Sequence, residues 1–330
     1  MQKRFIVSGY SGANYILRVH SLPVVGRTEL VQNKDNSVLY YGGNGLNVAV
    51  YLAKLGMTAI PILRGGADFE AQGYGRFLRE NGVSDKAVSI VDGDATAVCY
   101  LVEDDNNDHM TFFYTGAMDA RYAPAEYPDS YFENVDWAVM TVASQPDNAA
   151  LLRAVRRHGI PMAFAMRADP VAFPPEFLDL VLHASTLVFM NEMEEGYIRE
   201  TLGFEPTEEL LRHGSTKAVI VTHGPAGCIV YEEKKVTIVS TAVGATRPDE
   251  VVDTTGAGDS FLSGFLYGVV SGYALADCAR IGATVSSFII EAAGCLTNVP
   301  DETAMLERLR ARRDDTKNEK HSVDCHGYGF

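Results

Sequence analysis

Asp253-Thr254-Thr255-Gly256-Ala257-Gly258-Asp259-Ser260-Phe261, running into an apolar segment that ends at Ala276, is the most informative stretch of this chain. Two glycines around an alanine leave backbone N–H groups uncovered where a helix begins. Such a turn offers several donors and the positive end of the helix dipole, a ready anion site. Asp259 would repel an anion if anion binding were the whole purpose. The pairing makes sense if Asp259 orients or deprotonates a neutral hydroxyl while the N–H groups hold a phosphoryl group in transfer. Beside a helix N-terminus its carboxylate is expected in the ionised form, ready to accept a proton. The plainer alternative is a glycine loop with Asp259 capping the helix. Gly-x-Gly-Asp alone does not separate the two, but the nine-residue run is far more specific.

Outward from this stretch the chain alternates strand and helix. Strands are expected at Trp137–Val142, Met162–Ala165, Thr186–Met190 and Ala218–Val221, with helices at Asn148–His158, Phe177–His183, Glu192–Thr201 and Thr207–His213. That rhythm predicts a parallel sheet with helices on both faces. Upstream, residues 5–9 form a short apolar run ended by glycine, which suits a buried strand. Residues 16–40 alternate loosely, as a small half-exposed sheet would. Gly45–Gly56 and Gly73–Glu80 read as helices around a strand at Ala59–Leu63. Residues 97–102 and 110–114 are strand-like and flank the polar run Glu103-Asp104-Asp105-Asn106-Asn107-Asp108, a solvated hairpin tip. Downstream come a hairpin at Gly227–Val239, the Asp259 helix, and helices over 274–292 and 302–312. Residues 313–330 are polar and read as a disordered tail.

Composition narrows the function classes. With 330 residues, 47% hydrophobic and 22% charged, the chain can bury a sizeable core and is not intrinsically disordered. Lys plus Arg number 28 against 43 Asp plus Glu, a net charge of −15, which argues against nucleic acid as the main partner. Cys99, Cys228, Cys278, Cys295 and Cys325 are scattered without a CxxC pair, unlike a disulfide framework or zinc site. Cys325-His326 supplies only two potential ligands and reads as incidental. Ser260–Ala276 falls short of the ~20 residues of a membrane span and contains glycines, so a buried helix is expected. The N-terminus lacks a signal peptide's apolar region. The expectation is a soluble, cytoplasmic protein with no membrane partner. A Walker-type Gly-x-x-x-x-Gly-Lys-Ser/Thr is absent, and residues 9–14 do not supply a dinucleotide-binding Gly-x-Gly-x-x-Gly.

The run from Asp253 to Phe261 resembles the C-terminal signature of the ribokinase/PfkB family of ATP-dependent sugar and nucleoside kinases. Gly42-Gly43-Asn44-Gly45-Leu46-Asn47-Val48-Ala49 resembles the N-terminal signature. Asn191-Glu192-Met193-Glu194 is similar to the family's Asn-x-x-Glu element, and Thr222-His223-Gly224-Pro225-Ala226-Gly227 to its nucleotide turn. Four motifs in order cover about residues 1–310. The resemblance implies a three-layer α/β sandwich over residues 1–312, with a mostly parallel central sheet and a small β-lid from about 12–40 and 95–117. It implies that Asp259 is the catalytic base and that the N–H groups of Gly256, Ala257 and Gly258 form an anion hole. Asn14, Gly42, Gly43 and Asn47 would meet the acceptor, and Asn191, Thr222, Gly224 and Gly227 the ATP. Glu194 would hold Mg²⁺ through water, and Asp253 with the Thr255 carbonyl a monovalent cation such as K⁺. The reaction implied is transfer of the ATP γ-phosphoryl group to a hydroxymethyl group of a sugar. An adenosine-type nucleoside acceptor is the alternative, and a catalytically silent sensor of the same fold the rival from another class.

Departures from the family pattern bear on the acceptor. Asn14 stands where members usually carry an acidic residue gripping sugar hydroxyls, and it accepts and donates without charge. Asn44 stands where ribokinases tend to carry Lys. Both put ribose in doubt. Phe112-Phe113-Tyr114 on the lid would stack on a base, or instead pack the lid or pair it in a homodimer. Arg167 precedes Asp169-Pro170 at a strand end, a common place for ligand contacts, with a surface salt bridge as the alternative.

Overall fold

The computed structural model describes residues 2–35, 38–106, 108–204, 207–212, 214–233, 235–239 and 250–311. The tail expected over 313–330, with Cys325 and His326, lies outside the described residues.

The sheet grows from β1 (Arg4–Ser8), whose Phe5, Ile6 and Val7 are fully buried. A strand covered on both faces must be apolar throughout, which is why residues 5–7 form a continuous run. β1 pairs in parallel with β4 (Thr58–Gly66) on one side and β8 (Trp137–Met140) on the other. Beyond β4 lies β5 (Val88–Val91), and beyond β8 follow β9 (Met162–Ala165), β10 (Leu187–Asn191) and β11 (Ala218–Thr222), all parallel. The antiparallel hairpin β12 (Cys228–Glu232) and β13 (Lys235–Val239) completes nine strands.

Side-chain alternation along β1 divides the core. Phe5 and Val7 pack toward α1 (Asn44–Lys54), α2 (Tyr74–Glu80), α6 (Ala257–Val270) and α7 (Leu275–Ile289). Ile6 packs toward α3 (Gln145–His158), α4 (Pro175–Ala184) and α5 (Glu192–Leu202). Three layers result, helix, sheet and helix. α6 is buried on all sides from Asp259 to Gly268, as an all-round apolar helix must be. Its apolar run breaks after Val270, and Gly272 (φ 82°) turns the chain into α7. Among the described residues no helix is long and apolar enough to cross a membrane.

A second, four-stranded sheet stands over the C-terminal ends of the large one, in the order β3 (Tyr40–Gly42), β2 (Gly12–Arg18), β6 (Val98–Glu103), β7 (His109–Tyr114). The loose alternation of 16–40 does not produce a continuous sheet: described residues between Arg18 and Tyr40 hold no strand. The Asn33 side chain takes the place of a ladder there, accepting from the Arg18 N–H at 2.7 Å and donating to the Ile16 carbonyl at 2.6 Å. The segment 207–212 is 3₁₀ rather than α. Short, half-exposed β5 was not foreseeable from periodicity.

Strand order fixes where a ligand can go. The chain leaves β1 toward β4 and β5, then returns to the opposite side of β1 at β8. Between those departures a crevice opens at the carboxyl ends of β1 and β8, the usual binding place in an open α/β sheet. Thr141, just past β8, donates its hydroxyl to the Ser8 carbonyl at 2.8 Å and closes the crevice floor.

Candidate active site

Two helix N-termini converge over that crevice, those of α1 and α6. Gly43 caps α1 with φ 98°, and a Cβ there would collide with the Tyr10 carbonyl. A Cβ on Gly45 would sit 2.7 Å from the Gly9 carbonyl oxygen. The Gly-rich motif therefore lets the first turn of α1 lie directly on the backbone leaving β1. That placement brings Asn44 and Asn47 to Asp259. Asn44 Nδ2 donates to Asp259 Oδ1 at 3.0 Å and Oδ2 at 3.3 Å, and Asn47 Nδ2 donates to Oδ2 at 2.9 Å. Asp259 lies in the first turn of α6, which Gly256 caps with φ 82°. A Cβ at Gly256 would lie 2.8 Å from the Tyr51 hydroxyl and 3.1 Å from Cys295 Cβ, so glycine is required twice over.

Burial pushes the Asp259 carboxyl above its ordinary range, against the lowering pull of the Asn44 and Asn47 amides and of Arg167. The helix end is thus not the only influence on this carboxyl: burial opposes the ionised form that the helix end and the two amides favour. The anion-binding turn also differs in detail. Ala257 donates its N–H to the Thr254 carbonyl at 3.2 Å, closing the turn. The N–H groups of Gly256, Gly258 and Asp259 have no acceptor among the described residues. These are the donors left for a ligand.

Two cavities meet at this point. One, of about 370 Å³, is lined by Asn191, Glu194, Thr222 and the turn from Thr254 to Asp259. Asn191 caps α5 and forms a capping box with Glu194: Asn191 Oδ1 accepts from the Glu194 N–H at 2.9 Å, and Glu194 Oε2 accepts from the Asn191 N–H at 2.8 Å. Burial raises the Glu194 carboxyl. Thr222 donates to the Met190 carbonyl at 3.3 Å. Gly224 and Gly227 form the following turn, closed by the His223 N–H on the Gly227 carbonyl at 2.8 Å, and do not line the cavity.

The other cavity, of about 470 Å³, lies under the small sheet and contains Asn14, Gly43 and Asn47 beside Asp259. Gly42 sits behind it, where a Cβ would collide with the Asn14 amide. Ile16, Tyr40, Leu101 and Leu296 give part of this cavity an apolar lining, and Glu103, His109 and Thr111 add polar groups. Asp253 braces the loop at its edge, accepting from the Thr255 N–H at 2.8 Å and the Gly294 N–H at 3.0 Å. Asn44, Arg167, Thr255, Gly256 and Asp259 line both cavities and form the boundary between them.

Phe112, Phe113 and Tyr114 do not line the acceptor cavity. Strand alternation puts His109 and Thr111 on the inner face and Met110, Phe112 and Tyr114 on the outer one. Phe113 packs edge-on against Tyr10 instead, at 5.3 Å between ring centroids. Arg167 forms no surface salt bridge among the described residues. Sequence reasoning missed Glu103, which looked like the start of a solvated tip, and His109, which lay between that tip and the next strand. Their alternation with Leu101 and Thr111 was the available signal. The described cysteines, Cys99, Cys228, Cys278 and Cys295, are free thiols.

Among the described residues no three His, Cys, Asp or Glu side chains cluster to cage a metal. A single carboxylate facing a cavity with free N–H groups suits Mg²⁺, which keeps its waters and is held by one or two carboxylates plus phosphates. Glu194, with Oε1 not used in the capping box, fits that role.

A carboxylate held between two helix N-termini, with free N–H donors beside it at a switch point, defines a phosphotransferase of the α/β class. The chain belongs to the pfkB family of carbohydrate kinases, whose family model matches residues 6–302. It is 30% identical over 307 residues to a nucleoside kinase of Methanocaldococcus jannaschii, covering 92% of this chain and 96% of that one. The crystal structure of M. jannaschii nucleoside kinase superposes with a TM-score of 0.83 at 27% identity, over 94% of this chain and 99% of that one. Arabidopsis thaliana ribokinase complexed with ribose and ATP shares the fold, with a TM-score of 0.78 at 23% identity over 94% and 99% of the two chains. The protein is an ATP-dependent sugar or nucleoside kinase.

Proposed function

We propose that the chain transfers the γ-phosphoryl group of ATP to the hydroxymethyl group of a nucleoside. The observation that carries this reading is the apolar part of the acceptor cavity's lining, formed by Ile16, Tyr40, Leu101 and Leu296 alongside the Asn14 and Asn47 amides. A free sugar has nothing to place there, whereas a base buries apolar area against it. Because Asn14 grips without charge, such additional binding is needed. The similarity to the M. jannaschii nucleoside kinase supports the same choice.

In this reading Asp259 accepts the proton of the acceptor hydroxyl as the new O–P bond forms. Asn44 and Asn47 hold the carboxylate in place. Asn47 Oδ1, buried and without a hydrogen-bond partner among the described residues, is left to accept from a second hydroxyl. The N–H groups of Gly256, Gly258 and Asp259 meet the phosphoryl oxygens as charge develops. Asn191 and Thr222 line the cavity that takes the nucleotide, with the turn of Gly224 and Gly227 following Thr222 outside that lining. Mg²⁺, when bound with the triphosphate, neutralises phosphate charge; Glu194 would hold it through water. Asp253 and the Thr255 carbonyl are the place assigned to a monovalent cation such as K⁺. The outer face of the small sheet aligns Tyr15, Tyr100 and Phe112 across three strands, with Tyr15 stacked on Tyr100 at 5.5 Å. We assign that face to a second copy of the chain in a homodimer, and a monomer mass in light scattering at micromolar concentration would remove it.

Measuring ADP release with ATP and Mg²⁺ against adenosine, inosine, cytidine, ribose and fructose tests the reaction. A nucleoside should give the highest kcat/KM. Ribose or fructose as the best acceptor would overturn the nucleoside assignment in favour of a sugar. Thermal stabilisation by ligands without turnover on any acceptor would instead indicate a sensor.

A further inference from the structure

Arg167 lies two residues beyond β9, at the carboxyl edge of the sheet. Its backbone is fixed on both sides: the Met166 N–H donates to the Phe189 carbonyl at 2.9 Å, and the Arg167 carbonyl accepts from the Asp169 N–H at 2.8 Å. The Asp169 side chain then accepts from the N–H groups of Val171 and Ala172 at 2.9 and 3.0 Å, locking the turn. The guanidinium is engaged by no ion pair or hydrogen bond among the described residues, and the residue is exposed. A rigid backbone carrying an uncommitted cation into a site is unusual, because surface arginines are readily neutralised by a neighbouring carboxylate.

The electrostatic setting explains why one is needed there. Among the described residues Arg167 is the only Lys or Arg in the lining of either cavity, and it belongs to both. Across them it faces four carboxylates, Glu194, Asp259, Asp253 and Glu103. A triphosphate entering such surroundings meets strong repulsion unless a fixed positive charge offsets it. The N-terminal motif does not provide one, since Asn44 stands where ribokinases tend to carry Lys, and its amide is tied to Asp259.

We propose that Arg167 is a catalytic residue that binds the γ-phosphoryl oxygens during transfer, supplying from the β9 edge the positive charge that Asn44 cannot. This rests on the phosphotransfer reading above. In the step, the acceptor oxygen forms a bond to γ-phosphorus and the bond from γ-phosphorus to the bridging oxygen breaks. That electron pair leaves on the β-phosphate of ADP, and the acceptor's proton passes to Asp259. Arg167 stays protonated and donates two parallel N–H bonds to the equatorial oxygens, where the charge is spread. Its place on the boundary between the cavities is the place the moving group must cross.

The full chain is compared as wild type, Arg167→Gln and Arg167→Lys. Calorimetry with Mg²⁺ measures binding of ADP and of a non-hydrolysable ATP analogue, and steady-state kinetics measure turnover. Arg167→Gln should lower kcat on the order of 10²- to 10³-fold, as loss of a transition-state donor does. It should weaken the ATP analogue at least about tenfold more than ADP and leave the acceptor KM within about threefold. Arg167→Lys should recover part of the turnover, keeping charge but not the fork. Equal weakening of ADP and analogue, a raised acceptor KM with kcat preserved, or no change in any quantity overturns the proposal. If the wild type phosphorylates no acceptor, the phosphotransfer reading fails, while the difference between ADP and the analogue still judges Arg167.

Discussion

Asn47 donates Nδ2 to Asp259 Oδ2 across 2.9 Å, joining the first turn of α1 to the first turn of α6. The two residues are far apart in sequence, and each sits on its helix because a glycine cap allows it. The contact makes Asp259 a positioned group rather than a mobile one. Asp259→Asn should therefore keep nucleotide and acceptor binding while kcat falls by on the order of 10²-fold or more. Near-wild-type turnover would remove Asp259 from the role of base.

The same contact sets a pH dependence. A base works only when ionised, so turnover falls as pH drops through its pKa. Burial raises the Asp259 carboxyl, and Asn44 and Asn47 oppose that rise. Asn47→Ala removes one lowering contact, so the acidic limb of kcat/KM should move to higher pH. A pH profile superimposable on that of the wild type would show that another group controls the limb.

Asn14→Asp should change acceptor preference. Hydrogen bonds to a charged group contribute ~1.5–3 kcal/mol against ~0.5–1.5 for neutral ones. An acceptor held mainly by its hydroxyls gains most, so kcat/KM for ribose should rise relative to that for nucleosides. Identical ratios for every acceptor in both proteins would mean that Asn14 does not touch the substrate.

Arg64 on β4 anchors the segment that follows β7. Its guanidinium pairs with Asp147 at 2.5 Å and donates to the Ala117 carbonyl at 2.8 Å, with both side chains nearly fully buried. Tyr127 and Ser144 also donate to Asp147. Arg64→Met leaves a buried carboxylate without its cation and should destabilise the fold by about 3–5 kcal/mol. Adding Asp147→Leu should recover much of the loss. Urea unfolding measures both, and a loss under about 1 kcal/mol for the single variant would contradict the role given to the pair.

What could be read from the sequence follows from where the physics is local. Gly43 and Gly45 are dictated by close backbone approach, Gly256 by its left-handed φ at a helix cap, and Asn191 with Glu194 by another cap, so these positions could be identified from short motifs. The strand and helix rhythm after Trp137 was legible for the same reason. The upward push on the Asp259 carboxyl was not, because it comes from burial by elements far away in sequence. Alternation in β7 tells which residues share a face but not which face turns to the cavity, so the sequence left Phe112 open between base stacking, lid packing and a dimer face, and its outward position removes the first. Residues between Arg18 and Tyr40 misled because an asparagine amide replaced the ladder that alternation implied. Nothing local reveals that Arg167 finds no carboxylate partner among the described residues.

β7 is an edge of the small sheet, with all six residues from His109 to Tyr114 exposed. An apolar edge of that length is a template for adding strands from other molecules. The turn before it carries Asp104, Asp105 and Asp108. Parallel, in-register stacking, the growth mode of a fibril, would bring identical acidic tips together at every added chain. Charge repulsion at the tip would oppose fibre growth, so neutralising it should lower solubility before it alters the fold.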